Sequence, residues 1–153
     1  MSNQTISERL VEDIKKAARG HSEDLQVLRM LKAALANEVI SLRAQNKELT
    51  EANSMQIIRR ESKRRKEAAQ LYKEAGRVDL ANKELAEDKV LVTYLPPAPA
   101  LEDIKKQIIK LKNELALSQD KDRGKLTKAV LDYYQGSVDG GTVSALVVES
   151  LKN

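Results

Sequence analysis

The sequence predicts an all-α, multihelical protein in two parts, an N-terminal domain of long helices and a small C-terminal three-helix bundle. Apolar residues recur every three or four positions, which is the period of a helix buried along one face. No segment shows the sustained apolar–polar alternation typical of a strand. Aromatic residues make up only 3% of the chain, so its core must be aliphatic, which suits helices packed on helices.

Capping signals mark the first two predicted helices. Thr5 and Glu8 match a capping box, in which each side chain accepts a hydrogen bond from the other residue's backbone N–H. Gly20 follows the last turn and is predicted to be the C′ residue. Ser22 is predicted to be the N-cap of a second helix of about six turns. The apolar face of that helix consists of Leu25, Leu28, Leu31, Leu35, Val39 and Leu42.

A highly charged stretch lies in the middle of the third predicted helix, which begins after a cap at Thr50 or Ser54. A helix with such a middle either projects beyond its neighbours or pairs its charges with them. Gly76 is predicted to end this helix. Asp79 is predicted to cap a fourth helix that continues to Leu95.

Prolines mark the predicted domain boundary, because all three prolines of the chain fall in residues 96–100. Proline cannot continue a helix and restricts the residue before it to extended conformations. This segment is therefore predicted to be an extended, stiff linker. It would separate a four-helix N-terminal domain at 1–95 from a C-terminal domain at 101–153.

Three short helices are predicted in the C-terminal domain. The first covers about residues 101–115, and the second begins at Gly124 and ends near Gly136. Residues 139–142 form a predicted turn with a cap, followed by a last helix through 143–151.

Positive charge is concentrated in one stretch. The whole chain carries a mild +4, but six of the eight residues at 59–66 are basic. Cations repeated at about one-turn spacing can meet the phosphates of a nucleic acid. Alternatively, they form a solvated helix face paired with acidic neighbours such as Glu61, Glu67 and Glu74. Arg65 falls near the apolar stripe, and the candidate contacts are Arg59, Arg60, Lys63, Arg64 and Lys66.

A second, smaller candidate patch accompanies the predicted start of the sixth helix. Gly124 and Lys125 at a helix N-terminus can hold a phosphate, although on its own this two-residue signal favours a structural role. The candidate residues of this patch are Lys121, Arg123, Gly124, Lys125 and Lys128.

Catalytic constellations are missing from the sequence. The chain has no cysteine, which excludes disulfides and thiol nucleophiles. His21 is the single histidine and is interpreted as an exposed turn residue. Glu84, Glu87 and Asp88 have the spacing of hard-cation ligands, but with lysines beside them they are interpreted as surface charge. The sequence therefore predicts no catalytic residue, no metal, no cofactor and no small-molecule substrate.

No targeting signal is evident. The first residues lack a basic region followed by an apolar run, and no stretch approaches the ~20 apolar residues of a transmembrane helix. A soluble, cytoplasmic protein without a membrane partner is expected.

Several segments together resemble the GatB/YqeY family. The most specific are Ala75-Gly76-Arg77-Val78-Asp79-Leu80-Ala81 and Tyr94-Leu95-Pro96. Segments 28–34, 63–67, 124–126 and 139–141, with Lys83, Glu84 and Glu87, match in the same order. From this pattern, structural roles are assigned to Gly76, Arg77, Asp79, Tyr94 and Pro96.

The resemblance implies an all-α protein whose tail is similar to the C-terminal domain of the GatB component of the glutamine-dependent tRNA amidotransferase. In that enzyme the tail domain meets the body of the tRNA, and the chemistry occurs elsewhere. One departure is that the family's basic turn before the last helix has Gln135 and Ser137 in place of two lysines. This exchange predicts a weaker nucleic-acid contact there.

The leading hypothesis is a non-catalytic protein that binds tRNA, or is associated with it, through basic helix faces. An alternative is a protein–protein interaction adaptor, since long amphipathic helices dock partner helices. A more distant alternative is an accessory to a glutamine-dependent carbon–nitrogen ligase. The expected partners are tRNA or another structured RNA and tRNA-processing proteins.

Overall fold

Seven α-helices and one short 3-10 helix make up the computed structural model, which describes residues 3–135 and 137–152. No strand occurs in these residues, and the predicted all-α fold class is confirmed. The helices are α1 (Ile6–Arg19), α2 (Leu25–Arg43), α3 (Glu51–Glu74), α4 (Val78–Val92), α5 (Leu101–Glu114), α6 (Arg123–Tyr134) and α7 (Gly140–Leu151), with the 3-10 helix at Asp120–Asp122.

The chain divides into two compact units, Met1–Leu95 and Pro96–Asn153. The first unit contains α1 to α4, and the second contains α5 to α7. Residues 96–100 between α4 and α5 are not helical. In the described part of the chain, no helix is both long and apolar enough to span a bilayer.

The start of α1 confirms the predicted capping box. The Thr5 hydroxyl accepts a hydrogen bond from the Glu8 backbone N–H at 3.1 Å, and Glu8 Oε2 accepts one from the Thr5 N–H at 3.1 Å. The prediction for the other end of α1 is wrong by one residue. Gly20 is the C-cap with φ −87°, and His21 takes the left-handed conformation with φ 50°. The Ser22 N–H then bonds the Ala17 carbonyl at 2.9 Å, as in a Schellman motif.

Two predicted N-caps are also wrong. The N-cap of α2 is Asp24, and the Ser22 hydroxyl instead accepts a hydrogen bond from the Asp24 N–H at 3.2 Å. The N-cap of α4 is Arg77, so Asp79 lies inside the first turn, where the helix dipole favours a carboxylate. Asp24 and Asp79 are acidic residues that suit the start of a helix. The sequence alone does not show which position near the helix start each of them takes.

The predicted boundaries of α3 and α4 are close to those observed. Of the two predicted caps, Thr50 is used: its hydroxyl accepts from the Asn53 N–H at 3.1 Å. Gly76 follows the end of α3 with φ 74°, a conformation that glycine adopts without strain. Helix α4 ends at Val92 rather than Leu95. Leu95 still closes a tighter turn, in which its N–H bonds the Val92 carbonyl at 3.1 Å.

The core of the first unit lies at one end of the α3–α4 hairpin. It comprises Ile6, Leu10, Ala17, Val27, Leu28, Leu31, Leu35, Ile57, Ile58, Leu91 and Tyr94. The part of the hairpin between this core and the turn at Gly76 buries different residues, namely Ser62, Arg65, Ala69, Ala81 and Asp88. Small and polar side chains therefore hold the two helices together along the charged stretch.

The second unit has a separate aliphatic core, formed by Ile104, Ile108, Leu126, Val130, Val138, Val143 and Val147. Helix α6 begins at Arg123, one residue before the predicted start, and its C-cap Gln135 is left-handed with φ 50°. The predicted end near Gly136 lies outside the described residues. The predicted cap of α7 is confirmed, because Asp139 Oδ2 accepts from the Thr142 N–H at 2.9 Å.

Candidate nucleic-acid interface

The cations at 59–66 of α3 have two different environments. Arg60, Lys63, Arg64 and Lys66 are exposed, and Arg59 is half-buried. Arg65 is buried, with only 7% of its side chain accessible. This confirms its predicted position near the apolar stripe. We call the exposed set Arg60, Lys63, Arg64 and Lys66 the α3 cationic face.

Arg65 contacts side-chain partners from three helices. Its Nε lies 3.2 Å from Glu87 Oε2 of α4, and its Nη1 lies 3.5 Å from Glu61 Oε2 of α3. Its Nη2 donates to the Met30 sulfur of α2 at 3.8 Å. A buried guanidinium needs such partners, since an unpaired buried charge is costly. Arg65 therefore has a structural role in the hairpin.

One carboxylate, Glu61, serves three arginines. Besides Arg65, it lies 3.9 Å from Arg60 Nε and 3.5 Å from Arg64 Nη1. A single negative charge cannot neutralise three guanidinium groups, and exposed pairs at these distances are weak. The exposed guanidiniums of Arg60 and Arg64 thus keep most of their charge available to a ligand in solvent.

Lys66 is the member of the face with a partner on α4. Its Nζ lies 3.9 Å from Asp88 Oδ2, while the buried Ser62 hydroxyl donates to Asp88 Oδ1. Of the acidic partners considered from sequence, Glu61 does pair with the run, whereas Glu74 accepts from Gln70 Nε2 at 3.1 Å. The partners Glu87 and Asp88 were missed because they come from another helix.

The second candidate patch surrounds the start of α6. Lys121, Arg123, Gly124, Lys125 and Lys128 are all exposed. Arg123 Nη2 lies 2.6 Å from Asp120 Oδ1, so this cation is locally paired. A Cβ built on Gly124 meets nothing within 4 Å, so packing does not require glycine there. The structure places this patch in the second unit and the α3 cationic face in the first.

The residues assigned structural roles lie at turns and helix ends. Arg77 Nε is 3.5 Å from Asp79 Oδ1, and both side chains are well exposed, so this pair contributes little stability. Tyr94 is buried, and its hydroxyl donates to Asp13 Oδ2 of α1 at 2.5 Å. Pro96 is half-buried at the start of the second unit.

Tyr94 is also contacted by Arg9, whose guanidinium carbon lies 4.4 Å from the ring centroid and whose Nη1 donates to the Thr93 carbonyl at 2.9 Å. Burial, reinforced by the Asp13 hydrogen bond, raises the pKa of Tyr94 well above its usual range. Sequence reasoning missed Arg9 and Asp13. Their i,i+4 spacing on α1 is visible in the sequence, but nothing there indicates Tyr94 as their partner.

The interpretation of Glu84, Glu87 and Asp88 as surface charge is wrong for Asp88, which is buried; Glu84 and Glu87 are half-buried. Glu87 pairs with Arg65, and Asp88 binds Ser62 and Lys66. Across residues 3–135 and 137–152, no three His, Asp or Glu side chains lie close enough together to hold a metal ion. His21 is exposed at the left-handed position after α1.

The fold and these surfaces define a small multihelical protein with a cationic face on its longest helix. A family model described as Yqey-like protein matches residues 7–151. The chain therefore belongs to this family, as the resemblance in its sequence indicated. A search of curated proteins found no match.

Proposed function

We propose that this protein binds structured RNA, tRNA foremost, through the phosphate backbone and without carrying out a reaction of its own. The α3 cationic face is the principal contact. The proposal rests on the two different environments of the cations within residues 59–66. Arg65 is used inside the hairpin, while Arg60, Lys63, Arg64 and Lys66 extend into solvent.

Phosphate contacts supply most of the sequence-independent affinity for nucleic acids because they release condensed counterions. Exposed cations along one helix suit such contacts. Aromatic side chains for stacking are scarce here. The aromatic residue of α3 is Tyr72, which is half-buried. This favours recognition of a folded RNA by shape and backbone over recognition of unpaired bases.

The patch around α6 is proposed as a second, weaker contact. Its exposed lysines support this role, as does the resemblance of the tail to the tRNA-contacting domain of the GatB component of tRNA amidotransferase. The Asp120 carboxylate weakens this second contact, because it already pairs with Arg123 and so lowers the positive charge of the patch. The resemblance to the GatB component also makes an accessory role a related candidate. In that role the protein would assist a carbon–nitrogen ligase, and the reaction would occur in another protein.

Equilibrium binding to bulk tRNA and to a length-matched duplex DNA, measured over a salt series, tests the proposal. We expect a preference for tRNA and a log–log salt slope of several charges. In the triple variant Arg60→Gln/Lys63→Gln/Arg64→Gln, the slope should fall by about two to three. The control Lys15→Gln/Lys32→Gln/Arg43→Gln removes the same charge from exposed positions on α1 and α2 and should retain most of the affinity.

Equal affinity for both polymers, or an equal loss in the two triple variants, would show that only net charge matters and would reject the site. The adaptor alternative predicts a different result. In that case, partners captured from a lysate by the purified protein would survive nuclease treatment and would be unaffected by the α3 triple variant.

A further inference from the structure

A groove between α5 and α7 of the second unit has the features of a peptide-binding surface. It has a volume of about 330 Å³, at the small end of the range for ligand sites. Ile108, which is buried, and Leu146, which is half-buried, contribute its apolar lining. Ile109 also lines the groove, yet 54% of it is exposed. This volume suits one or two inserted side chains rather than an enclosed small molecule.

Lysines surround the exposed isoleucine. Lys105 lies four residues before Ile109, Lys106 three before and Lys112 three after, and residues at these spacings are neighbours on a helix surface. With Lys110, α5 carries four lysines and no acidic residue at 105–112. Two of these charges are partly engaged: Lys105 Nζ lies 3.6 Å from Glu102 Oε1, and Lys112 Nζ donates to the Ser150 carbonyl at 2.8 Å.

The opposite wall carries a different charge. Glu149 of α7 lines the groove and is exposed. A phosphate backbone laid along the groove would approach this carboxylate and would gain nothing from Ile109. A peptide helix gains from both walls if it places apolar residues over Ile109, acids toward α5, and neutral or basic residues toward Glu149.

We propose that this groove binds an amphipathic helix of a partner protein, with acidic residues on one flank and apolar anchors at i and i+4. The lysines of α5 favour a partner helix with an acidic flank. The apolar lining of the groove favours a peptide over RNA. This inference is independent of the RNA contact proposed for the first unit. It assigns a protein partner to the second unit.

The probe is a fluorescein-labelled 16-residue helical peptide with leucines at i, i+4 and i+7 and glutamates beside them. A matched peptide with lysines in place of the glutamates is the control. Binding to the full-length protein is followed by fluorescence anisotropy. We expect micromolar binding of the acidic peptide and at least about tenfold weaker binding of the lysine peptide.

The variant Ile109→Asn removes the apolar contact and should weaken the acidic peptide about tenfold. Leu115→Asn is the matched control, because Leu115 is exposed to a similar extent, at 50%, at the end of α5 and does not line the groove. Its affinity should stay within about twofold of the unmodified protein. Lys106→Glu/Lys110→Glu changes exposed side chains alone and should also weaken the acidic peptide, even if Ile109→Asn perturbs folding.

Failure of the acidic peptide to bind, or equal binding of both peptides, would overturn the proposal. So would equal losses in Ile109→Asn and Leu115→Asn. If tRNA binding, rather than peptide binding, depends on Lys106 and Lys110, the surface belongs to RNA and the proposal is wrong. If the α3 triple variant loses tRNA affinity, its binding of the acidic peptide should be unchanged. Failure of one proposal therefore does not imply failure of the other.

Discussion

Arg65 of α3 and Glu87 of α4 form an ion pair, with the arginine Nε 3.2 Å from Oε2 of the glutamate. Both side chains are largely withdrawn from solvent. The pair joins the two helices where apolar side chains are scarce, between the core at one end of the hairpin and the turn at Gly76. It also removes Arg65 from the set of cations available to a ligand.

Arg65→Ala should lower the free energy of unfolding by about 2–3 kcal/mol, because it leaves the Glu61 and Glu87 carboxylates without their buried partner. Arg64→Ala should cost less than about 0.5 kcal/mol, since its side chain is 70% exposed. Urea unfolding monitored by circular dichroism measures both. For tRNA affinity the order should reverse, with Arg64→Ala binding more weakly than folded Arg65→Ala. Equal stability of the two variants would contradict the structural role of Arg65.

Tyr94 predicts a loss of stability at alkaline pH. Burial raises the pKa of this phenol in the folded protein above its unfolded value of about 10. The protonated form is therefore favoured by folding, and its contribution is complete below about pH 10 and declines as pH rises further. Urea unfolding between pH 8 and 11 should show this decline.

The variant Tyr94→Phe cannot ionise and should show a shallower decline. At pH 8 it should already be less stable by about 1 kcal/mol, because Asp13 loses its hydrogen-bond donor. Tyr133→Phe alters an exposed side chain and should retain the decline of the unmodified protein. An identical pH dependence in all three proteins would remove Tyr94 as the cause.

Gly76→Ala tests the end of α3. The position has φ 74°, which costs a residue with a Cβ roughly 1–2 kcal/mol, although no atom lies within 4 Å of the added carbon. Gly20→Ala is the matched control, because φ is −87° there and no loss beyond about 0.5 kcal/mol is expected. Thermal and urea unfolding of both variants provide the comparison. A larger loss at Gly20 would contradict the observed backbone.

His21→Gly should stabilise the protein. His21 holds the left-handed position after α1, with φ 50°, and glycine adopts this conformation without the cost borne by other residues. We expect a gain of about 0.5–1 kcal/mol in the free energy of unfolding. A loss would mean that the imidazole makes a contribution that outweighs the backbone strain.

Most of the fold could be predicted because its signals are local. The capping box at Thr5 and Glu8 and the cap at Asp139 depend on atoms within one turn of helix. The aliphatic period and the prolines in 96–100 are likewise read directly from the chain. The errors at Gly20, Ser22 and Asp79 are shifts of one or two residues, since several polar residues near a helix end can serve as its cap.

The candidate site was only partly predictable. The sequence showed that residues 59–66 are basic and that Arg65 lies near the apolar stripe, but not which carboxylates would face them. Glu87 and Asp88 are more than twenty positions away and reach α3 only because α4 folds back along it. Asp13 and Tyr94, which lie eighty-one residues apart, are a second such pair.

By itself, the sequence determined the helical class, the helix ends to within a few residues and the membership of a family matched over residues 7–151. The tertiary structure decided which arginine of the basic run is buried and which remain available to a ligand. It also placed Ile109 beside a groove formed by α5 and α7. The physical reason is that helix formation depends on neighbours within a turn, whereas burial and ion pairing depend on helices that approach from distant parts of the chain.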